Sequence, residues 1–204
     1  MPITINGAGT ITGVSIGGLP DGIVDTDMLA NNAVTAAKRG AGAILQVVQN
    51  HVTGTSSQSL SQNAVTNITN LNVSITPKAS TSDMLIYVMW HGELADTPHN
   101  TVFGLKRNTT AIGNAASSGN RSTGIGNINI GYGGDDDAST IDSAKYQFFD
   151  TGRPSGTSQI TYHATIVNRH SGGITLVNGR TVSNANSPGY ELCPCSITIF
   201  EVAT

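Results

Sequence analysis

Residues 160–166 read ITYHATI, so apolar side chains at every second position alternate with threonine and histidine. A period of two places successive side chains on opposite faces of a β-strand, and this alternation is typical of a strand with one buried face. The same period is present in residues 71–76, which read LNVSIT, and in residues 196–199, which read SITI. These three segments predict half-buried strands.

Six further segments have the length and apolar content of strands: residues 44–52, 84–91, 102–107, 125–130, 145–149 and 174–177. The segments between them are rich in Gly, Ser, Asn and Asp, which favour turns. Beyond residue 43 no segment shows the period of an amphipathic helix. Short strands separated by frequent turn signals predict an all-β fold for residues 44–204, an antiparallel β-sandwich that is jelly-roll-like.

The composition excludes two classes of partner. Gly, Ser, Thr and Asn account for 86 of the 204 residues, whereas charged residues make up 11%, compared with about 25% in an average soluble domain. The net charge is −3, and the 10 basic residues are dispersed, so no basic surface is expected for nucleic acid or anionic lipid. The longest apolar run, residues 84–90, is far shorter than the roughly 20 residues of a bilayer-spanning helix. We therefore expect neither nucleic-acid binding nor membrane insertion.

Residues 1–43 differ from the rest of the chain. Their first half contains three β-favouring triplets separated by glycines, and such pieces are too short to fold without pairing partners. Residues 25–27, DTD, can cap a helix that we predict over residues 23–38. The apolar residues of this helix would form a heptad-like seam between copies of the chain, made of Ile23, Ala30, Val34 and Ala37. The alternative is a surface helix lying on its own domain.

The low charge also bears on oligomeric state. Lysine and glutamate usually prevent edge-to-edge pairing of exposed strands, and this chain has few of them. An oligomer that buries the sheet edges would remove that liability. We predict a homotrimer built around both the N-terminal segment and the sandwich.

The sequence lacks the common catalytic motifs: it has no GxSxG, no P-loop, no HExxH and no GxGxxG after a strand. We therefore predict no enzymatic activity, no cofactor and no metal site. His91 and His99, with Glu93 and Asp96, could suggest acid–base chemistry, but the segment 91–99 is better interpreted as a polar loop after a buried strand.

Two other clusters leave alternatives open. Asp135, Asp136 and Asp137 follow a Gly-Gly pair and could bind a hard cation such as Ca²⁺, or form a solvated loop tip. With Tyr132 they form our candidate loop for a receptor or ligand, because an exposed tyrosine can stack on a sugar. Residues 193–195, CPC, could supply two zinc ligands, but small buried side chains before the last strand are favoured, since no second ligand pair is evident.

Beyond these patterns, the chain resembles the tail-fibre-like and other structural virion proteins of tailed bacteriophages, especially marine ones. The resemblance covers nearly the whole chain and rests on residues 11–25 (ITGVSIGGLPDGIVD), 29–34 (LANNAV), 73–82 (VSITPKASTS), 148–150 (FFD), 161–162 (TY) and 196–203 (SITIFEVA). It implies a homotrimeric appendage whose N-terminal segment, residues 1–43, attaches to other virion proteins. The β-sandwich of residues 44–204 would then point outward, towards a host surface such as a glycan.

Two departures from that family bear on location. The segment between Pro20 and Gly40 is much shorter than a fibre shaft, and CPC at residues 193–195 stands where plain turn residues are expected. The short segment leaves a capsid decoration protein or head fibre as an alternative, and a lectin-like or depolymerase module is an alternative of another class. Residues 1–7 have neither the charged nor the apolar region of a signal peptide, so we expect synthesis in the host cytoplasm and localisation in the virion.

Overall fold

The computed structural model describes residues 4–5, 11–12, 29–31, 33–95, 100–128, 138–169 and 171–204. The chain comprises two compact units, Met1–Arg39 and Gly40–Thr204. In the first unit, the strands Thr4–Ile5 (β1) and Ile11–Thr12 (β2) pair with each other in antiparallel orientation. Two of the β-favouring triplets therefore find their partner within the chain.

The helix predicted over residues 23–38 is wrong at the positions that the structure describes. Residues 29–31 and 33–35 are not helical, and a single 3₁₀ turn, Ala36–Lys38, follows Thr35 without a side-chain cap. An isolated helix of this length is marginal in water, because few hydrogen bonds offset the cost of nucleation. Ala30, Val34 and Ala37 thus do not share a helical face, and Ala30 and Val34 are exposed. Ile23 lies outside the described residues, and the seam as a contact between copies stays a prediction.

Ten strands lie in the described part of the second unit. Their bounds are Ile44–Val52 (β3), Ser56–Leu60 (β4), Val65–Ile75 (β5), Asp83–Ala95 (β6), Thr101–Arg107 (β7), Thr110–Ile112 (β8), Asp142–Asp150 (β9), Ile160–Asn168 (β10), Ile174–Asn178 (β11) and Cys195–Val202 (β12). All the predicted strands are present except 125–130, where Gly126 makes an isolated bridge to Phe103 and residues 129–130 lie outside the described part. The prediction missed β4 and β8, because neither has a pronounced apolar alternation.

The strands form two antiparallel sheets packed against each other, so the predicted β-sandwich is confirmed. The smaller sheet has the order β5-β10-β7-β8. In the larger sheet β6 lies between β12 and β9, and β3 pairs with the other edge of β12. Beyond the residues that pair with β12, the end of β6 pairs with β11, and β11 in turn pairs with β4. The orders β3-β12-β6-β9 and β5-β10-β7-β8 are those of a jelly roll.

The core lies between the two sheets. Trp90 of β6 and Phe103 of β7 are fully buried, with ring centroids 5.0 Å apart. The Nε1 of Trp90 donates a hydrogen bond of 2.6 Å to the side-chain oxygen of Asn178, so the indole is satisfied as well as buried. The alternating positions of β5, β6, β10 and β12 supply most of the other core side chains. This confirms that the apolar positions of the predicted segments 71–76, 160–166 and 196–199 face inward.

A fully buried carboxylate joins β12 to the turn that follows β5. Glu201 accepts hydrogen bonds from the backbone amides of Lys78 (2.8 Å) and Ala79 (3.0 Å), from the Ser82 hydroxyl (2.6 Å) and from the Gln46 side-chain amide (2.6 Å). Burial alone would raise the pKa of Glu201, but these four donors together hold its pKa below the ordinary value of 4.5. The ionised form is therefore the one that the fold stabilises.

We expect the stability of the wild-type protein to fall as pH drops from neutral. Because the folded-state pKa of Glu201 is depressed, its contribution is complete above pH 4.5 and is lost as pH falls through the folded pKa. Urea unfolding between pH 7 and pH 3 should show Glu201→Gln less stable than wild type by roughly 1–3 kcal/mol at pH 7, with the difference shrinking on acidification. A difference that stays constant with pH would contradict this interpretation, since the other carboxylates titrate in both proteins.

Candidate interaction surface

The side chains of β3, β12, β6 and β9 that point away from the core form one continuous surface, which we call the outer face. Alternation along each strand assigns to it Val47, Gln49, His51, Ser196, Thr198, Phe200, Val202, Asp83, Leu85, Tyr87, Met89, His91, Ser143, Lys145, Gln147 and Phe149. Ile44 joins this face because the pairing of β3 with β12 shifts register beside it. The outer face is therefore the far side of the sheet from the core.

The register of the strands aligns apolar residues across the outer face. Val47 lies opposite Phe200, Phe200 opposite Leu85, and Leu85 opposite Phe149, so four apolar side chains cross the four strands in one row. Val47 is 53% exposed and Phe149 is 44% exposed, and both are therefore accessible at the two ends of the row. Directly opposed side chains on one face are in contact distance, so the row forms a continuous apolar strip.

Tyr87 lies at the centre of the next row. It is opposite Thr198 and Gln147, it is 43% exposed, and its ring packs edge-on against Phe200 with centroids 5.7 Å apart. Shallow recesses flank it: one of about 430 Å³ reaches Met89 and Lys145, and one of about 370 Å³ reaches Ile44 and Phe200. Both recesses are broad and mainly apolar, which suits contact with another surface better than enclosure of a small ligand.

The outer face of the larger sheet differs in polarity from its counterpart on the smaller sheet. Asp83 and Lys145 are the two residues of the outer face that are Asp, Glu, Lys or Arg. The outward positions of β5 and β10 instead carry polar side chains such as Ser74 and His163, and the Ser74 and Thr161 hydroxyls are 2.7 Å apart. Burial, followed by the nearby charge of Lys106, lowers the pKa of His163. The outward side of the smaller sheet also has a short apolar row, Val65, Val167 and Val102, of which Val65 is 48% exposed, but this row crosses three strands and contains no aromatic side chain.

The aromatic residues of the strands do not all face the core: Trp90, Tyr146 and Tyr162 are buried, whereas Tyr87 is 43% exposed. The alternating patterns described above do not predict this exposure. A signal for the outer face was nevertheless present. Residues 84–90, MLIYVMW, are apolar at consecutive positions, and such a run is typical of a strand covered on both faces. The sandwich covers only the face that carries Met84, Ile86, Val88 and Trp90.

The structure describes two of the four residues considered for acid–base chemistry, His91 and Glu93, and neither lies in a polar loop. Strand β6 extends through Ala95, so residues 91–95 are strand. The Nδ1 of His91 hydrogen-bonds the Pro194 carbonyl over 2.8 Å, whereas buried Glu93 accepts the backbone amide of Val182. Asp96 and His99 lie outside the described residues, so their arrangement stays untested.

Of the remaining candidates, the structure describes the two cysteines of the CPC segment but not the candidate loop. Cys195 is the first residue of β12, is buried, and donates to the His91 carbonyl over 3.2 Å; burial raises the pKa of its thiol. Cys193 and Cys195 are both free thiols. Within the described ranges no three His, Cys, Asp or Glu side chains are placed to hold a metal ion. Tyr132, Asp135, Asp136 and Asp137 lie outside those ranges, so the candidate loop stays a prediction.

No protein-family model matches the chain, and no curated protein matches it significantly in sequence. Among the described residues, no helix has the length and hydropathy needed to cross a membrane.

Proposed function

We propose that the protein is a non-enzymatic structural protein of a bacteriophage virion, a homotrimeric tail fibre or spike-like appendage that contributes to host attachment. The observation that carries the proposal is the division of the chain into a small N-terminal unit and a low-charge β-sandwich with an exposed apolar sheet face. The first unit would attach to other virion proteins, and loops of the second would contact the host surface, including its glycans. Loops on a rigid sandwich are common places for recognition.

The trimer has a direct test on the full-length chain. Size-exclusion chromatography with light scattering at micromolar concentration should give three times the 21.0 kDa mass of one chain. A monomeric mass across the accessible concentration range would contradict the trimer, because an appendage assembled from three chains has to persist at those concentrations.

The location has a separate test. Gold-labelled antibodies against the sandwich should mark the tail of purified virions in electron micrographs, and the number of copies per particle should match a tail appendage. Labelling spread over the head, with a copy number set by capsid symmetry, would instead identify a decoration protein or head fibre, which the short segment between Pro20 and Gly40 favours. Virions that do not contain the chain would contradict both locations.

A further inference from the structure

We propose that the outer face of the larger sheet is buried against a second copy of the same chain. This inference rests on the proposed function, because it names the surface through which the sandwiches of the oligomer associate. It is carried by three independent features of the outer face: its apolar row, its area and its charge.

The first feature is the apolar row. Val47, Phe200, Leu85 and Phe149 cross all four strands, and Tyr87 lies beside them. Isolated exposed apolar residues are normal on a protein surface, but a contiguous apolar patch on a sheet marks a place of association. The consecutive apolar residues 84–90 of β6 have the composition of a strand with both faces covered, and within the described residues one of these faces is only partly covered.

The second feature is the area of the outer face. Four strands spaced about 4.8 Å apart, each with roughly eight residues rising about 3.4 Å, span on the order of 500 Å². Two such surfaces would bury about 1,000 Å² in total, which is near the lower limit for a specific protein–protein interface. The outer face is therefore large enough for a neighbouring sandwich, and too large and too open for a small ligand.

The third feature is charge. Asp83 and Lys145 have opposite signs, so the formal charge of the outer face is zero when its histidines are neutral. In a homotrimer the outer face of one chain packs on a different surface of its neighbour. Charged residues make up only 11% of the chain that supplies that surface, so a face without net charge would meet little electrostatic repulsion there. A nucleic acid, an anionic membrane or an acidic peptide would require an excess of basic residues, which the outer face lacks. A second copy is the occupant that fits both the apolar row and the absence of net charge.

The test places a charge at the centre of the outer face of the full-length chain. Tyr87→Lys should raise the concentration for half-maximal association by at least about 30-fold, roughly 2 kcal/mol, because the lysine would lose its water at the interface. Tyr87 is 43% exposed in the single chain, so we expect the variant to fold. Val47→Lys, at 53% exposure, repeats the test from the edge of the face if Tyr87→Lys does not fold.

The matched control is Ser74→Lys, an exposed position on the outward side of the smaller sheet, which should leave association unchanged. A trimer that persists in folded Tyr87→Lys or Val47→Lys would overturn the outer face as the interface while leaving the trimer intact. A wild-type dimer that these variants dissociate would support the interface but contradict the homotrimer of the proposed function. A wild-type monomer would overturn both the interface and the homotrimer. The outer face would then be covered by another part of the same chain or by a different protein.

Discussion

Replacing Asp150 by alanine is expected to lower the free energy of unfolding by about 3–5 kcal/mol. Asp150 ends β9 and is 2% exposed, and its two carboxylate oxygens accept hydrogen bonds of 2.7 and 2.8 Å from the Arg107 guanidinium. Its Oδ2 also accepts a bond of 2.8 Å from the Tyr162 hydroxyl. Alanine would remove the acceptor of all three bonds and leave a guanidinium without its counter-ion in a largely buried position.

The cluster ties the two sheets together. Asp150 belongs to the larger sheet, whereas Arg107 ends β7 and Tyr162 lies in β10 of the smaller sheet. Burial raises the pKa of Tyr162, and the Asp150 carboxylate, as a negative neighbour and hydrogen-bond acceptor, raises it further. The phenol therefore remains a hydrogen-bond donor over the whole range of pH in which the protein would be studied.

A double-mutant cycle measures the coupling by chemical denaturation. Arg107→Met combined with Asp150→Ala should be less destabilised than the sum of the two single variants, since removing both partners leaves no unpaired buried charge. Asp150→Asn keeps an acceptor for the Tyr162 hydroxyl and should lose less than Asp150→Ala. A loss below about 1 kcal/mol for Asp150→Ala would show that the pair behaves like an exposed salt bridge.

The second large effect is expected at Gly92, where alanine should cost at least about 4 kcal/mol or prevent folding. Gly92 has φ +159°, and a Cβ atom there would overlap the carbonyl oxygen of Val177 and approach the Trp90 ring to 2.8 Å. The clash with Val177 involves backbone of the paired strand β11, which cannot move without breaking the β6–β11 ladder. A clash with the end of a flexible side chain would cost less stability, because that side chain could move away.

Gly92 also lies where β6 changes partners. It faces Asp142 of β9 on one edge and Asn178 of β11 on the other, and Asn178 accepts the Trp90 indole hydrogen bond. Soluble yield and the midpoint of urea unfolding measure the effect of Gly92→Ala. The control is Gly54→Ala, where a Cβ would meet no atom within 4 Å, and whose stability should change by less than about 0.5 kcal/mol. Equal stability of the two variants would contradict the close approach.

The proposed assembly gives the unusual composition a physical reason. Few charged residues protect the strand edges or the outer face, so the isolated sandwich would expose an apolar strip that includes Val47, Tyr87 and Phe149. Burying that strip between copies would turn an aggregation liability into a specific contact. The outward side of the smaller sheet, which carries Ser74 and His163, would then be the one that stays in water.

Local signals explain where sequence analysis succeeded. The alternation in residues 71–76 and 160–166 depends only on neighbouring residues, and it correctly located parts of β5 and β10. Strand β4 was missed because it reads SSQSL and has one buried apolar side chain, Leu60, at its end. It becomes a strand through its ladder with β11, whose sequence lies more than 100 residues away. The helix prediction over residues 23–38 was wrong at the described positions because capping residues alone do not stabilise a short isolated helix.

The sequence by itself determined the all-β class, most of the strands and the jelly-roll-like sandwich, because period-two patterns and turn residues act over a few positions. Only the tertiary structure decided that Asp150, Arg107 and Tyr162 meet, and that Tyr87 and Phe149 point away from the core while Trp90 points into it. The reason is that alternation separates the two faces of a strand without saying which neighbour covers each face. In β6 both faces are apolar, so the packing of the opposite sheet was needed to show which one remains exposed.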